Sequence, residues 1–447
     1  MFRSDSSWRV SFWFIALCCL LPVWGVLSMA GEKGWPRYLE GADIRPYYTG
    51  GAVVLHGQGT QLYDLATQWK WQRHFFPGLS APSQLLPFLA PPFVAAPMAI
   101  LASFPVRTAF LVWLGINWVL LSVFVMSVVE ALKPRGGRAQ MVALVLCVTC
   151  APIFVTLLQG QWAIVLALSS LFSWRALREK RDFAGGLWLA LWLFKPQLLL
   201  FPLAVLAWKL RGRALGGFAL GATALLAVSL AIVGAGGLGK YARLLGEASS
   251  WQGKYGVNQT AMFTWRGLLA NFHATALWWP GVLLIGAALV WVWRGVWTQE
   301  ASSSTRLASE TTGEPTGAQT PKSDAQTFEA QKFDTQTFDT QAFDARWAMT
   351  LLAALFCSPY LYYHDLTLLL VPLLLMALSA RASVLGRVVA VLPIVGCMMF
   401  WLEFLSSTVV VKVALNVVFV GASFGLLAFF YLRETREIAT RVSSTQK

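Results

Sequence analysis

The stretch FAGGLWLALWLFKPQLLLFPLAVLAW, Phe183 to Trp208, decides how this chain folds. It is apolar apart from Lys195 and Gln197, and it is long enough to cross the ~30 Å hydrocarbon core of a bilayer. Yet basic residues flank it on both sides, with Arg175, Arg178, Lys180 and Arg181 before it and Lys209, Arg211 and Arg213 after it. Basic residues mark the cytoplasmic ends of membrane helices, so both ends of this stretch belong on one side. It therefore reads as a helical hairpin broken at Lys195-Pro196, because proline interrupts the helix and moves the residue before it out of helical geometry. A single span would instead leave the Lys195 ammonium near the bilayer midplane, at a cost of about 2.5–3.5 kcal/mol.

The rest of the chain fits a bilayer as solvent. Of its 447 residues 57% are hydrophobic and 13% charged, against roughly 25% charged in a soluble domain. There are 35 basic and 21 acidic residues, but residues 299–346 hold 4 and 8 of them, which leaves 31 and 13 elsewhere. Such an excess is the orientation signal of cytoplasmic loops, and no nucleic-acid partner is expected. Cys18, Cys19, Cys147, Cys150, Cys357 and Cys397 lie inside or at the ends of apolar stretches. They read as packing residues, with no disulfide framework and no metal-ligand spacing.

The expected fold is all-α, a polytopic transmembrane bundle of about twelve helical segments with a large first extracytoplasmic loop. An uncleaved first helix runs from Ser11 to Met29 behind Arg3 and Arg9, which place the N-terminus in the cytoplasm. Residues 31–82 form the first external loop, with a short amphipathic helix from Pro46 to Leu55 resting at the membrane surface. Leu85 to Phe104 carries Pro87, Pro91, Pro92 and Pro97 and reads as a broken or re-entrant piece. Spans follow at Thr108 to Glu130, 140–158 and 162–177, then the hairpin, then 215–236, an external loop at 237–272, and 274–297. Four more helices lie near 347–361, 366–380, 388–405 and 409–431. Residues 1–298 thus form an N-terminal module and residues 347–447 a C-terminal group of helices with a cytoplasmic tail. Between them, residues 299–346 are polar and contain the repeat AQTFE, AQKFD, TQTFD, TQAFD from Ala325 to Asp344. Such a segment buries too little apolar surface to fold alone and reads as a disordered cytoplasmic linker.

On this topology the unusual polar residues gather toward the external side. They are Asp43, Arg45, Gln159, Gln161, Lys195, Asn258, Arg266, His364 and Asp365. Ionisable groups at membrane depth mark functional sites by default. Asp43 stands in GADIRPYYTGG, beside Arg45, Tyr47 and Tyr48, where aromatic faces can hold a sugar ring while the carboxylate accepts a proton from a hydroxyl. It could equally cap the helix that follows or pair with Arg45. Lys195, Arg266 and the His364-Asp365 pair offer charge for an oxyanion. Gln159 and Gln161 flank Gly160 in LLQGQWA, so one tight turn presents two amides. Asn258 begins the sequon Asn-Gln-Thr. HExxH, phosphate-loop, GxSxG and GxGxxG motifs are absent from the sequence, so zinc-hydrolase, nucleotidase and dehydrogenase readings have no footing.

Four stretches together resemble a known family: GADIRPYYTGGAVVLHGQGTQLYD (41–64), LLPFLAPPFVAAPMAILASFP (85–105), the segment from LLQGQWA through LFKPQLLLFP (157–202), and SPYLYYHDLTLLLVPLLL (358–375). In order and spacing they are similar to the polyprenyl-phosphate-dependent glycosyltransferases of the GT-C superfamily, and most to glycosyltransferase family 87, which includes bacterial mannosyltransferases. The chain has Ala163 where that family has Asn, and Ala90 where it has an aromatic residue. The resemblance implies a bacterial inner-membrane enzyme with cytoplasmic termini and an extracytoplasmic active site. It implies transfer of a hexose, mannose above all, from a polyprenyl-phosphate donor to a glycolipid or glycan acceptor, with inversion and without metal or other cofactor. Asp43 would be the base. Lys195, Arg45, His364 and Arg266 would bind the donor phosphate, and Tyr47, Tyr48, Gln159, Gln161, Asn258 and Asp365 the substrates. A transporter or flippase of a lipid-linked substrate is the alternative, although the helices show no internal repeat of the transporter kind.

Overall fold

The structure is a computed structural model that describes residues 24–294, 322–379, 391–392, 394–396, 398–399, 402 and 408–444. Among these, every regular element is helical. The first part of the expected helix 11–29, the linker up to residue 321 and most of the expected helix 388–405 lie outside the described residues.

Residues 24–33 (α1), Trp35–Gly41 (α2), Ile44–Leu55 (α3), Leu65–Phe75 (α4) and Ala95–Leu101 (α5) form a cap of short helices. Below it run Val106–Ala131 (α6), Gly137–Val148 (α7), Ala151–Gln159 (α8) and Ala163–Arg178 (α9). Proline sets several of these boundaries: Pro105 precedes α6 and Pro152 opens α8. The hairpin follows as Asp182–Leu189 (α10) and Leu200–Trp208 (α11), then Gly212–Ala248 (α12), Trp265–Asn271 (α13), Trp278–Arg294 (α14), Lys322–Cys357 (α15), Leu370–Ser379 (α16) and Val409–Ser444 (α17). Among the described residues, five helices are long and apolar enough to cross a membrane: Val106–Ala131, Gly137–Gln159 with α7 and α8 taken together, Gly212–Ala248, Thr275–Arg294 and Val409–Phe429. The remaining apolar helices among the described residues, Pro92–Leu101, Asp182–Phe194, Pro196–Trp208 and Tyr363–Ser379, are shorter.

The hairpin at Lys195-Pro196 is present. Two short 3-10 turns, Ala190–Phe194 and Pro196–Leu199, meet at Lys195, whose backbone is extended (φ −133°, ψ 74°). The chain returns to where it left, because Arg211 Nη1 donates to Asp182 Oδ1 and to the Leu177 carbonyl, each at 3.1 Å. Its first leg, Asp182–Phe194, rises roughly 20 Å, short of the ~30 Å of a full crossing. The leg can lie flat against α12 because a Cβ on Gly186 would stand 1.8 Å from the Ala214 carbonyl oxygen, and one on Gly217 2.0 Å from that of Phe183. Small residues let two helix backbones approach this closely.

Three expectations need correction. The short helix after Asp43 forms, but it does not rest on a surface: Ile44, Tyr48, Ala52 and Val53 are all buried. Gly50 and Gly51 have no side chains to hold a partner away, and Phe88 and the Met98 backbone fill the space where their Cβ atoms would be. The Pro-rich segment 85–104 is thus the cover of α3. The external loop expected at 237–272 begins as helix, because α12 continues to Ala248 through a break at Gly234 (φ 66°, ψ 176°). Finally, the C-terminal part of the expected disordered linker lies in α15, and there Asp344, the last residue of the pentapeptide repeat, is fully buried.

Candidate functional site

Asp43 sits between α2 and α3, and its carboxylate does not cap α3. Gln161 Nε2 donates to Asp43 Oδ2 at 2.9 Å, and the Asp43 backbone N–H donates to Gln159 Oε1 at 3.0 Å. The two amides expected to meet substrate therefore hold the carboxylate residue by its side chain and its backbone. Gly160 makes this possible. It ends α8 in the left-handed region (φ 67°, ψ 37°), and a Cβ there would stand 2.9 Å from Ile44. The Tyr47 hydroxyl donates to Gln161 Oε1 at 3.1 Å, which orients the amide so that its N–H faces Asp43. Burial, with the charges of Asp43 and Asp365, pushes the Tyr47 hydroxyl well above its ordinary pKa and keeps it a donor.

The other half of the site comes from SPYLYYHD, more than 300 residues later in the chain. His364 Nδ1 lies 3.8 Å from Asp43 Oδ2, and His364 Nε2 lies 3.3 Å from Asp365 Oδ1. Asp365 Oδ2 accepts from Lys195 Nζ at 2.5 Å and from the Tyr362 backbone N–H at 3.0 Å. Lys195, Asp365, His364 and Asp43 thus form one line of ionisable groups. From Asp365 outward exposure rises, the side chains of Asp365, His364 and Asp43 being 2%, 10% and 37% exposed, while Lys195 on the other side of Asp365 is 17% exposed. Asp43 is the open end. Lys195 at the tip of the short hairpin is paired, as a cation at that depth must be.

An aromatic wall stands beside this line. Trp162 stacks on Phe194 with ring centroids 5.6 Å apart at 25°, and Tyr47 approaches each of them at 6.3 Å. Trp162 and Phe194 were not among the sequence candidates. The available signal was adjacency, since each is the immediate neighbour of a polar candidate, Gln161 and Lys195 respectively.

Four candidates have other partners. Arg45 is buried and donates from Nη2 to the Gln84 carbonyl at 2.8 Å; it makes no ion pair with Asp43. Burial lowers its guanidinium to about 10, against the opposing pull of Glu40 and Asp43, so it remains charged at neutral pH. Tyr48 donates to the Phe104 carbonyl at 2.9 Å and packs edge-on against Phe75 and Phe76. Arg266 lies over the rings of Trp278 and Tyr360, each at 5.6 Å. The Asn258 side chain accepts from Thr260 and Gln252 in its own loop, and only its backbone N–H reaches the site, donating to the Tyr362 hydroxyl at 3.3 Å. Among the described residues, no three His, Cys, Asp or Glu side chains converge as a metal site requires.

Neither the curated proteins nor the solved structures offer a match to the chain. The family model of glycosyltransferase family 87 matches residues 88–313. That range includes Gln159, Gln161, Lys195, Asn258 and Arg266, whereas Asp43 and the His364-Asp365 pair lie outside it. With half of its length matched, and with apolar helices fit to cross a membrane, this chain belongs to glycosyltransferase family 87 and is a membrane glycosyltransferase.

Proposed function

We propose that this chain transfers a hexose, mannose in the first instance, from a polyprenyl-phosphate donor to a glycolipid or glycan acceptor at the extracytoplasmic face of the bacterial inner membrane. The observation that carries the reading is the line that ends at Asp43. A carboxylate held by Gln161, on a residue whose backbone is held by Gln159, and partly open to solvent suits a base that must meet an incoming hydroxyl. The acceptor oxygen attacks the anomeric carbon while the bond to the lipid phosphate breaks on the opposite side, so configuration inverts. Lys195 has one donor committed to Asp365 and two left for the departing phosphate. The wall of Tyr47, Trp162 and Phe194 is a platform for a sugar face or for the first isoprene units. Arg45 and Arg266, committed elsewhere, act on the donor only through their charge.

The test is incubation of the purified protein with polyprenyl-phosphate-mannose and a panel of glycolipid acceptors. Asp43→Asn lowers transfer about 10²- to 10⁴-fold, the usual worth of a general base. Transfer that survives this substitution removes Asp43 from the role. Movement of the lipid-linked sugar across a vesicle membrane without transfer to any acceptor replaces the enzyme with a transporter.

A further inference from the structure

His364 was expected to bind the donor phosphate, but its ring is turned to carboxylates on both sides. Nε2 faces Asp365 Oδ1 at 3.3 Å and Nδ1 faces Asp43 Oδ2 at 3.8 Å. Asp365 accepts from Lys195 and the Tyr362 N–H through Oδ2, which leaves the negative Oδ1 beside Nε2 and favours the tautomer with its proton on Nε2. That tautomer leaves Nδ1 as a lone pair pointing at the base. The ring cannot swing away easily, because it is only 10% exposed and its backbone carbonyl accepts from Thr156 Oγ1 at 3.1 Å.

From this geometry we infer that His364 is the second proton acceptor of the reaction, standing behind Asp43, and that Asp365 is the positioning residue that sets its tautomer. The inference rests on the reading of Asp43 as base. As the acceptor oxygen forms its bond to the anomeric carbon, its proton passes to Asp43 Oδ2 and from there, once the 3.8 Å gap closes to hydrogen-bond length, to His364 Nδ1. The electron pair of the breaking bond between the anomeric carbon and oxygen goes to the lipid phosphate, which leaves with one more negative charge. His364 becomes an imidazolium between two carboxylates, so charge balances within the site. The proton returns through Asp43, the exposed end of the line, to water. Burial holds the imidazole below its ordinary range, against the pull of the Asp365 and Asp43 charges, so the proton rests there only while transfer proceeds, and the hand-over restores Asp43 as an anion. The charged groups that act on His364 are Asp365, Lys195 and Asp43; Thr156 and Gln159 face the site from α8 without charge.

Three variants of the full-length protein, assayed with polyprenyl-phosphate-mannose, separate this from the base assignment. Asp43→Asn tests the base by itself, and retained transfer there overturns both readings. His364→Gln keeps the size and a hydrogen-bonding end but has no basic nitrogen. Its kcat/KM falls about 10- to 50-fold, its acid limb moves to lower pH, and the solvent isotope effect loses the curvature against deuterium content that two moving protons produce. Asp365→Asn removes the charge that stabilises the imidazolium, so its acid limb also moves to lower pH, with a loss of about tenfold. Should the buried substitution prevent folding, His364→Gln decides the matter alone. An inactive Asp43→Asn beside a His364→Gln with wild-type kcat/KM and an unmoved acid limb overturns the relay and leaves the base in place.

Discussion

Two buried aspartates, at opposite ends of the bundle, are built from the same parts and lead to different things. Asp365 accepts from Lys195 and the Tyr362 N–H, and Asp344 accepts from Trp174 Nε1 at 2.9 Å while pairing with Arg178 at 3.0 Å. Helix α9 separates them: it begins beside Gln161 and ends at Arg178, roughly 24 Å away. At the Asp365 end the ion pair continues through His364 to Asp43, which is open. At the Asp344 end the neighbouring charges close on one another, with Arg175 bonded to Glu130 and Glu179, and Arg211 to Asp182. A buried carboxylate with a cation is therefore no sign of chemistry by itself. What distinguishes the site is a continuous path from the buried pair to an exposed acceptor.

The comparison is broken most directly by exchanging which end is damaged. Asp43→Asn loses transfer by about 10²- to 10⁴-fold while the unfolding midpoint in detergent stays within a degree or two, since this side chain is partly exposed. Asp344→Ala does the reverse. It leaves the Trp174 N–H without its acceptor and Arg178 without its partner, and destabilises by about 2–3 kcal/mol, with transfer per folded molecule within twofold of wild type. If Asp344→Ala abolishes transfer by the folded protein, the two ends are coupled and the contrast fails.

A smaller effect comes from the turn that holds Asp43. Gly160→Ala places a Cβ against Ile44 in a backbone conformation that L side chains rarely adopt, so both glutamines shift and kcat falls about tenfold, measured in the same transfer assay. The smallest effect is on pH. Burial pushes the Asp344 carboxyl up to about 6, against the pull of Arg178 and Trp174, whereas an unfolded chain has it near 3.9. The folded form thus holds this proton more tightly, and its contribution to stability is present at low pH and lost as pH rises from about 4 to about 6. Unfolding midpoints of wild type minus Asp344→Asn, followed over that range, should fall and then level above pH 6. A flat difference means the Arg178 pair fully offsets burial.

Much of this molecule is legible in its sequence because the bilayer imposes simple rules. Apolar length, flanking arginines and prolines marked the helices 106–131, 137–159 and 278–294 and the break at Lys195-Pro196, since a chain in hydrocarbon must satisfy its own backbone and keep its charges at the edges. The scarcity of carboxylates is equally informative: it leaves Asp43 prominent in the sequence itself. The buried state of α3 was not legible, because an amphipathic reading cannot anticipate that Gly50 and Gly51 admit a Pro-rich cover.

Residue types and local turns, then, were determined by the sequence itself: which segments are apolar, where they break, and which few polar groups are out of place among them. Partnership was decided only by the tertiary structure. That Gln159 and Gln161 serve Asp43, that Lys195 answers Asp365 and that His364 stands between two carboxylates are matters of a few ångströms among residues up to 321 positions apart. No local propensity encodes such distances. They follow from how α3, α8, the hairpin and the segment before α16 pack together, and packing is a property of the whole chain.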